Sequence, residues 1–541
     1  MRPRCACAVA AALLAALTAP GGAAAASAAP ACPALAVDLS APAFTTAENF
    51  ASWTIDPSRN RAFFDLNFSD PRLLYLASEI GNGSVLRFGG GGADELAYGV
   101  PSQCDAPRPA SGLECLNRST LDALLGVATA ASARLVFGLN ILPSGASSSS
   151  GGGSGSGGAP PPPPAPWDPT AARGLLTYIR DSGFPLAGVE LGNERNAHGY
   201  TPAEQAAAFR VLAGLLAELW PAPAARPALW GPDADGAGPA TDPPARLAAL
   251  AAYLQGFVGN LSGSGVPLGA VTFHEYIQAT SASVLNASAL DASARNAAAL
   301  VAAVRRADAR VPVWAGEAGP HTGDSQGNST TTGTCSGNRL CGRFASALWY
   351  ADAMAASARA GVAGFARQDL VGAAYALVNT SAPGQPGSAV GGFAPAPDYY
   401  LLWLWQRLVG ARVLAAALQP PQHSGSATRA YAFCARAAPG AVVLVLLNLA
   451  LSDACVAVPA FVPPGASLTR YALTPGEAGE GVESYGVRLN GVLLALGADG
   501  RLPELRGASA PAAGGIALPA TSVTLVVAPA GGAALACAGA A

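Results

Sequence analysis

Val189-Glu190-Leu191-Gly192-Asn193-Glu194 and, more than a hundred residues later, Val311-Pro312-Val313-Trp314-Ala315-Gly316-Glu317 are two strand-like apolar runs that each end on a glutamate. A carboxylate just past the C-terminal end of a buried strand is where barrel enzymes keep their chemistry. Two of them suggest an acid/base and a nucleophile.

Six further β-rich runs surround this pair: Phe50 to Asp56, Val85 to Gly90, Arg134 to Leu142, Ala228 to Asp233, Ala270 to Tyr276 and Gly361 to Leu370. With Ala187 to Glu194 and Val311 to Glu317 they make eight strands alternating with alanine-rich helical stretches, the count of an α/β fold of the (β/α)8 TIM-barrel type. An open doubly wound sheet is the alternative. After about Pro397 the pattern changes: a helix-like segment (Tyr399 to Leu408) leads into Arg429 to Arg436, Ala441 to Leu449, Ala454 to Pro459, Ser467 to Leu473, Val487 to Leu496 and Thr521 to Ala528. Short strands separated by Gly, Pro and Asn turns read as an appended C-terminal β-sandwich domain. The expected organisation is a signal peptide over 1–29, an N-terminal strand over 33–45 joining the sandwich, a catalytic barrel over 46–400 and the sandwich over 410–541. Residues 144–166, serine and glycine followed by prolines, form a low-complexity insert in the loop after the third strand.

Half the residues are hydrophobic, 12% are charged and the formal net charge is -3. Arginine supplies every basic side chain, without a basic stripe, which argues against nucleic acid and highly sulfated polyanions as partners. Arg2 and Arg4, the apolar run Ala6 to Leu17 and small residues up to Ala29 read as a secretory leader, and no later segment reads as a membrane span. N-x-S/T sites at Asn67, Asn82, Asn117, Asn260, Asn286, Asn328 and Asn379 fit a secreted glycoprotein of the extracellular space, cell wall or matrix, or of a vacuole or lysosome-like compartment. Once Cys5 and Cys7 leave with the leader, ten cysteines fall to eight, and an even count favours disulfides. The spacings Cys104/Cys115 and Cys335/Cys341 suggest local loop staples. With four histidines and no C-x-x-C or H-E-x-x-H pattern, neither a metal nor a cofactor is expected.

In a retaining glycosidase one carboxyl group protonates the leaving oxygen while the other attacks the anomeric carbon, so the fold must bring two carboxyl groups together. Asn193, next to Glu194, supplies an amide able to hydrogen-bond a sugar 2-hydroxyl. For a lone strand-end glutamate, a helix N-terminal charge or a salt bridge is the plainer reading.

At these residues the chain resembles glycoside hydrolase family 79, the heparanase and β-glucuronidase family of clan A, and is most similar to its plant heparanase-like branch. The resemblance runs through Leu86-Arg87-Phe88-Gly89-Gly90 with Asp94, Phe137-Gly138-Leu139-Asn140, Glu190 to Glu194, Val271-Thr272-Phe273-His274-Glu275-Tyr276 and Gly316-Glu317-Ala318-Gly319. It continues through Arg367-Gln368-Asp369-Leu370-Val371-Gly372 with Tyr375, Pro397-Asp398-Tyr399-Tyr400-Leu401, Arg429-Ala430-Tyr431-Ala432-Phe433-Cys434 and Leu489-Asn490-Gly491.

The resemblance implies Glu194 as acid/base, Glu317 as nucleophile, and Tyr276 as the tyrosine that hydrogen-bonds the nucleophile. It places Asp56, Asn140, Asn193, Gln368 and Tyr375 around the sugar. His274 lies nearby, with a plain barrel histidine as the competing reading, and Asp94 matches but is also placed to brace the Gly89 to Gly92 turn. The resemblance gives a glucuronate carboxylate to the backbone of Gly323 and to Tyr375, and pairs Cys434 with Cys537. Where the family commonly has a tyrosine five residues after the nucleophile, this chain has Thr322, and the segment Thr322 to Cys341 is long. The basic clusters and excised linker of animal heparanase are not found. The expected protein is therefore a secreted, monomeric, retaining β-glucuronidase acting on glucuronic acid of arabinogalactan, proteoglycan or other extracellular glycans, or on small glucuronides. The alternatives are a clan A exo-glycosidase on a neutral sugar and a non-catalytic glycan-binding protein on the same scaffold.

Overall fold

The computed structural model describes residues 32–57, 62–100, 104, 113–142, 166–321, 340–373, 375–380, 392–419, 427–512, 514–531 and 535–538. The leader, most of the 144–166 insert, Thr322, Gly323, Asn328 and Cys335 lie outside them.

Eight parallel strands form the centre: β1 Ala51–Ile55, β2 Val85–Phe88, β3 Arg134–Leu139, β4 Leu186–Leu191, β5 Ala228–Trp230, β6 Leu268–Tyr276, β7 Val313–Gly319 and β8 Gly364–Arg367. Each pairs with the next, and β8 returns to β1 through Phe365↔Ala51, Ala366↔Ser52 and Arg367↔Trp53, so the sheet closes. That closure excludes the open doubly wound alternative. Every strand is followed by a helix: α1 Pro71–Glu79, α2 Arg118–Ala130, α3 Thr170–Asp181, α4 Pro202–Leu219, α5 Pro244–Leu261, α6 Ala287–Ala307, α7 Phe344–Ala360 and α8 Pro397–Leu408. The starts follow local chemistry. Thr201 and Glu204 form a capping box on α4 with Pro202 in its first turn, and the side chains of Asp70, Asn117 and Asn286 cap α1, α2 and α6. Among the described residues no helix is long and apolar enough to cross a membrane.

Outward-facing residues such as Trp53, Ile55, Leu86 and Phe88 join the helices in one large core. Inside the barrel, Val85, Val136, Trp230, Ala270 and Trp314 fill the floor, with the Trp230 and Trp314 rings 4.7 Å apart. Above this plug the inward side chains turn polar, which places the chemistry at the C-terminal face.

Three expected runs differ in detail. Ala228 to Asp233 is interrupted after Trp230 by Gly231-Pro232-Asp233 and resumes as Ala234–Ala237, which pairs with β6. Val487 to Leu496 is a hairpin, Val487–Leu489 and Val492–Leu493, turned by Asn490-Gly491, whose φ values are 50° and 86°. β7 extends to Gly319, so Glu317 lies within the strand. Between Phe273 and His274 on β6 the partner advances from Ala315 to Glu317, a bulge that skips Gly316. Period-2 alternation from inward Trp314 would turn Glu317 toward the helices, and the extra residue turns it into the barrel.

The second domain is one antiparallel sheet with strand order Phe44–Thr45, Val409–Leu414, Thr428–Ala435, Ala441–Asn448, Ser522–Pro529, Ser467–Pro475, Val487–Leu489 and Val492–Leu493. One face, including Phe433, Val443, Val445, Val523 and Leu525, joins the barrel core, where α7 packs. The other, including Val442, Leu444, Leu446 and Val526, is covered by the small sheets Ala34–Val37/Ala416–Gln419 and Ala454–Val456/Ile516–Leu518. Disulfides join Cys32 to Cys455, Cys104 to Cys115 and Cys434 to Cys537, and Cys341 is also disulfide-bonded.

Candidate active site

Glu194 stands three residues beyond β4 on a turn that folds back on itself. Gly192 adopts φ +77°, and a Cβ there would meet Ile141 Cγ2 at 2.7 Å, so glycine is required. Glu194 itself has φ +53°, a left-handed conformation that costs a non-glycine residue about 1 kcal/mol or more. The turn is held from outside. Glu194 N–H donates to the Asp233 carbonyl at 2.9 Å and Asn193 N–H to Asp94 Oδ2 at 2.8 Å. Asp94 also accepts from Ile141 N–H at 3.0 Å and lies 3.3 Å from Arg195. It therefore braces the loops after β3 and β4, rather than only the glycine turn after β2.

Glu317, brought inward by the bulge, accepts from Arg87 Nη1 at 2.9 Å through Oε2 and from the Tyr276 hydroxyl through Oε1. Arg87, on β2, also donates to Glu190 Oε2 at 2.7 Å, to Asp233 Oδ2 at 2.5 Å and to Asn193 Oδ1 at 3.2 Å. His274 Nε2 is 2.6 Å from Asp233 Oδ1, while Nδ1 is 2.8 Å from Glu194 Oε1 and 3.8 Å from Glu317 Oε2. Oxygens of Glu194 and Glu317 and a nitrogen of His274 all fall within 4.8 Å of one another.

Arg87 and His274 thus face four carboxyl groups, Glu190, Glu194, Asp233 and Glu317. Ionising all four would leave excess negative charge in a buried site, and the groups divide accordingly. Burial pushes Glu190 up to about 7, with the charge of Asp233 adding to it. Burial likewise raises Glu194, against its hydrogen bond to His274, although 28% of that side chain remains exposed. Asp233 is lowered because Arg87 and His274 outweigh its burial. For His274 burial favours the neutral ring, but the charges of Asp233 and Glu317 and the two hydrogen bonds hold it well above its ordinary range.

The remaining expected residues are spread around this centre. Gln368 Nε2 donates to Asp56 Oδ2 at 3.0 Å and its carbonyl accepts from Thr54. Tyr375 is buried, its hydroxyl meets that of Tyr276, and its carbonyl accepts from Arg367 at 2.9 Å. Asn140 is half-buried, with its Nδ2 donating to the Leu96 carbonyl after β2 and its Oδ1 accepting from Leu142 N–H, so it ties the loop after β3 to the segment after β2. Asp56 Oδ1 and Asp369 Oδ1 are buried without a hydrogen-bond partner among the described residues. Burial raises both acids, Asp56 well above the usual range and Asp369 up to about 8.

Arg87, Glu190, Asp233 and Asp369 were not singled out as site residues from sequence. The available signal was a charge inside an apolar run, as in Val85-Leu86-Arg87-Phe88 and Val189-Glu190-Leu191, which on a buried parallel strand has nowhere to point but into the barrel.

No family model matches the chain. It is 26% identical over 63% of its length to a baicalin-β-D-glucuronidase of Scutellaria baicalensis, covering 58% of that protein. It is 28% identical over 75% of its length to a heparanase of Gallus gallus, covering 70% of it, and 28% identical over 67% to heparanase-like protein 1 of Arabidopsis thaliana, covering 61%. The chain thus spans 58–70% of the length of these curated relatives. Among solved structures, the fold is shared with a 4-O-α-L-rhamnosyl-β-D-glucuronidase from Fusarium oxysporum (TM-score 0.59, 14% identity, 91% of this chain and 99% of the other). It is also shared with a family 51 arabinofuranosidase from Xanthomonas axonopodis (TM-score 0.62, 14% identity, 92% of this chain and 100% of the other). Over most of its length the chain resembles the heparanases, plant heparanase-like proteins and β-glucuronidase of glycoside hydrolase family 79, and its fold is the (β/α)8 barrel of clan A glycosidases.

Proposed function

We propose that the chain is a secreted, retaining β-glucuronidase of the heparanase-like kind, removing β-linked glucuronic acid from extracellular glycans or small glucuronides. The observation that carries this reading is the unequal pair of glutamates. One carboxyl oxygen of each lies within 4.8 Å of the other, a proximity compatible with the roughly 5–5.5 Å carboxyl separation of retaining sites. Glu317, bound by Arg87 and Tyr276, is held as the nucleophile. Glu194, whose proton affinity is raised by burial, serves as the acid.

In the first step Glu317 attacks the anomeric carbon, the glycosidic C–O bond breaks and the Glu194 proton passes to the leaving oxygen. In the second, Glu194 takes a proton from water, whose oxygen attacks the same carbon and expels Glu317. Two inversions give net retention. Arg87 takes Asn193 Oδ1, which leaves Nδ2 to donate to the sugar 2-hydroxyl. The sugar carboxylate is assigned to Tyr375 and the Gly323 backbone.

One observation keeps a second reading, a neutral sugar: the unpartnered oxygens of Asp56 and Asp369 suit sugar hydroxyls, which every candidate sugar carries. A panel of aryl β-glucuronide, glucoside, xyloside and galactoside decides between them, and NMR of the first-formed anomer tests the mechanism, because an α product appearing first from a β-glycoside would sink it. Secretion is supported by the disulfides and by the exposure of Asn67, Asn82, Asn117, Asn260 and Asn286. Asn117 and Asn286 cap their helices through Oδ1, which leaves Nδ2 for a glycan. An N-glycosidase mobility shift on the exported protein checks this.

A further inference from the structure

We propose that Asp233 is a positioning residue for the hydrolysis: its carboxylate holds His274 through one oxygen and Arg87 through the other, so that a cation stands beside Glu317 before the glycosyl ester forms and beside Glu194 after it. The proposal rests on the retaining reading only for the roles of the two glutamates.

Asp233 occupies the break between β5 and Ala234–Ala237, at φ +60°. All its polar groups are engaged. Oδ1 lies 2.6 Å from His274 Nε2 and Oδ2 2.5 Å from Arg87 Nη2, its N–H donates to Thr272 Oγ1 at 2.9 Å, and its carbonyl accepts Glu194 N–H at 2.9 Å. The side chain is 2% exposed. A residue spending every group on the acid/base turn, the nucleophile's arginine and the histidine between the carboxyl groups is placed to couple them.

His274 has carboxylate oxygens at both ring nitrogens, an arrangement met when both carry hydrogen. The charged and titratable groups facing it are Arg87 from β2, Glu190 and Glu194 from β4 and its turn, Asp233 beyond β5, Tyr276 on its own strand and Glu317 from β7. During turnover one negative charge moves. When the Glu317–carbon bond forms and the Glu194 proton leaves with the aglycone, the charge passes from Glu317 to Glu194, and ester hydrolysis returns it. Nδ1 is hydrogen-bonded to Glu194 at 2.8 Å and lies 3.8 Å from Glu317, so the imidazolium keeps a counter-ion nearby in each half of the cycle. Glu194 accepts this bond on Oε1 and holds its transferable proton on Oε2. A cation fixed in advance beside both ends of the moving charge needs little reorganisation, which is where buried sites gain most.

Asp233→Asn keeps the shape and a carbonyl oxygen for Nε2–H but removes the charge. The chain has four histidines, so 15N-histidine NMR of the whole protein can follow His274, assigned by the resonance missing in His274→Gln. In the unmodified protein both ring nitrogens should carry hydrogen through pH 7. In Asp233→Asn the ring should become neutral about one pH unit lower or more. The alkaline limb of kcat/KM, on whichever glycoside is turned over, should move down with it, while KM changes by less than about twofold. A His274 already neutral at pH 6 in the unmodified protein overturns the proposal, as does a variant whose titration and pH profile are unchanged. The first measurement needs no Asp233 variant and no substrate, so failure of the glucuronide panel would sink the sugar assignment without deciding this one.

Discussion

The guanidinium of Arg87 and the carboxylate of Glu317 meet at 2.9 Å across the barrel, one from β2 and the other from β7. The same arginine holds Glu190, Asn193 and Asp233, so three separated segments (β4 with its turn, the break after β5, and β7) converge on a single side chain 3% exposed. Breaking a buried ion pair from one side strands the other charges. Arg87→Met should therefore lose activity and be destabilised by about 3–5 kcal/mol, as read by urea denaturation. A variant with near-normal stability would show that the carboxyl groups here are neutral and need no cation.

The two glutamates should separate kinetically. Glu317→Gln should abolish turnover, while Glu194→Ala should still form the glycosyl ester from an aryl glycoside with an activated leaving group, which needs no acid. Near-normal turnover by Glu317→Gln would remove it from the nucleophile's role.

Tyr276→Phe deletes the hydrogen bond from its hydroxyl to Glu317 Oε1. Such bonds are worth about 1.5–3 kcal/mol, so kcat/KM should fall by roughly tenfold to a hundredfold. An unchanged kcat/KM would mean that Arg87 alone holds Glu317.

Three buried acids give the stability profile a direction. Burial raises Glu190 and Glu275 to about 7 and Asp369 to about 8. An acid whose folded value lies above its unfolded one contributes stability that is present below about pH 4.5 and is lost as pH climbs through the folded value, at about 1.4 kcal/mol per unit of separation. The melting temperature should thus fall between about pH 5 and pH 8. Glu275→Gln, which keeps the bond from Ser293, should flatten that slope and stabilise the protein at pH 8. A steeper slope in the variant would contradict the assignment.

These residues show how far sequence can be read. The apolar runs of the eight strands and the Asn-Glu turn are local patterns; all eight form strands, with the Ala228 to Asp233 run cut short at Trp230 and the Val311 to Glu317 run extended to Gly319. Arg87 and Asp233 are single charges whose meaning depends on which strands become neighbours, and neither run indicates that β2 will face β5 and β7. Glu317 was found for a reason that needs amending. As a strand-end residue it would need no bulge, yet it sits inside β7 and faces inward only because Gly316 is skipped. Asn140 shows the reverse, a matching position whose amide is committed to joining its loop to the segment after β2.

The Cys32–Cys455 disulfide should matter for cohesion more than for chemistry. The double change Cys32→Ser/Cys455→Ser should lower unfolding stability by about 2–4 kcal/mol, seen in thermal melts, with kcat at 25 °C unchanged because neither residue approaches the glutamates. A loss of kcat without a lower melting temperature would point to a link between the two regions that the contacts do not suggest.

The pairing of Ala34–Val37 with Ala416–Gln419 and of Phe44–Thr45 with Val409–Leu414 has a consequence for synthesis. The first strands to leave the ribosome must wait, unpaired, until some 370 residues have followed them, and the barrel between has time to close first. The antiparallel sheet therefore cannot be completed until the barrel has been synthesised, and the two distant segments of the chain are tied together only then.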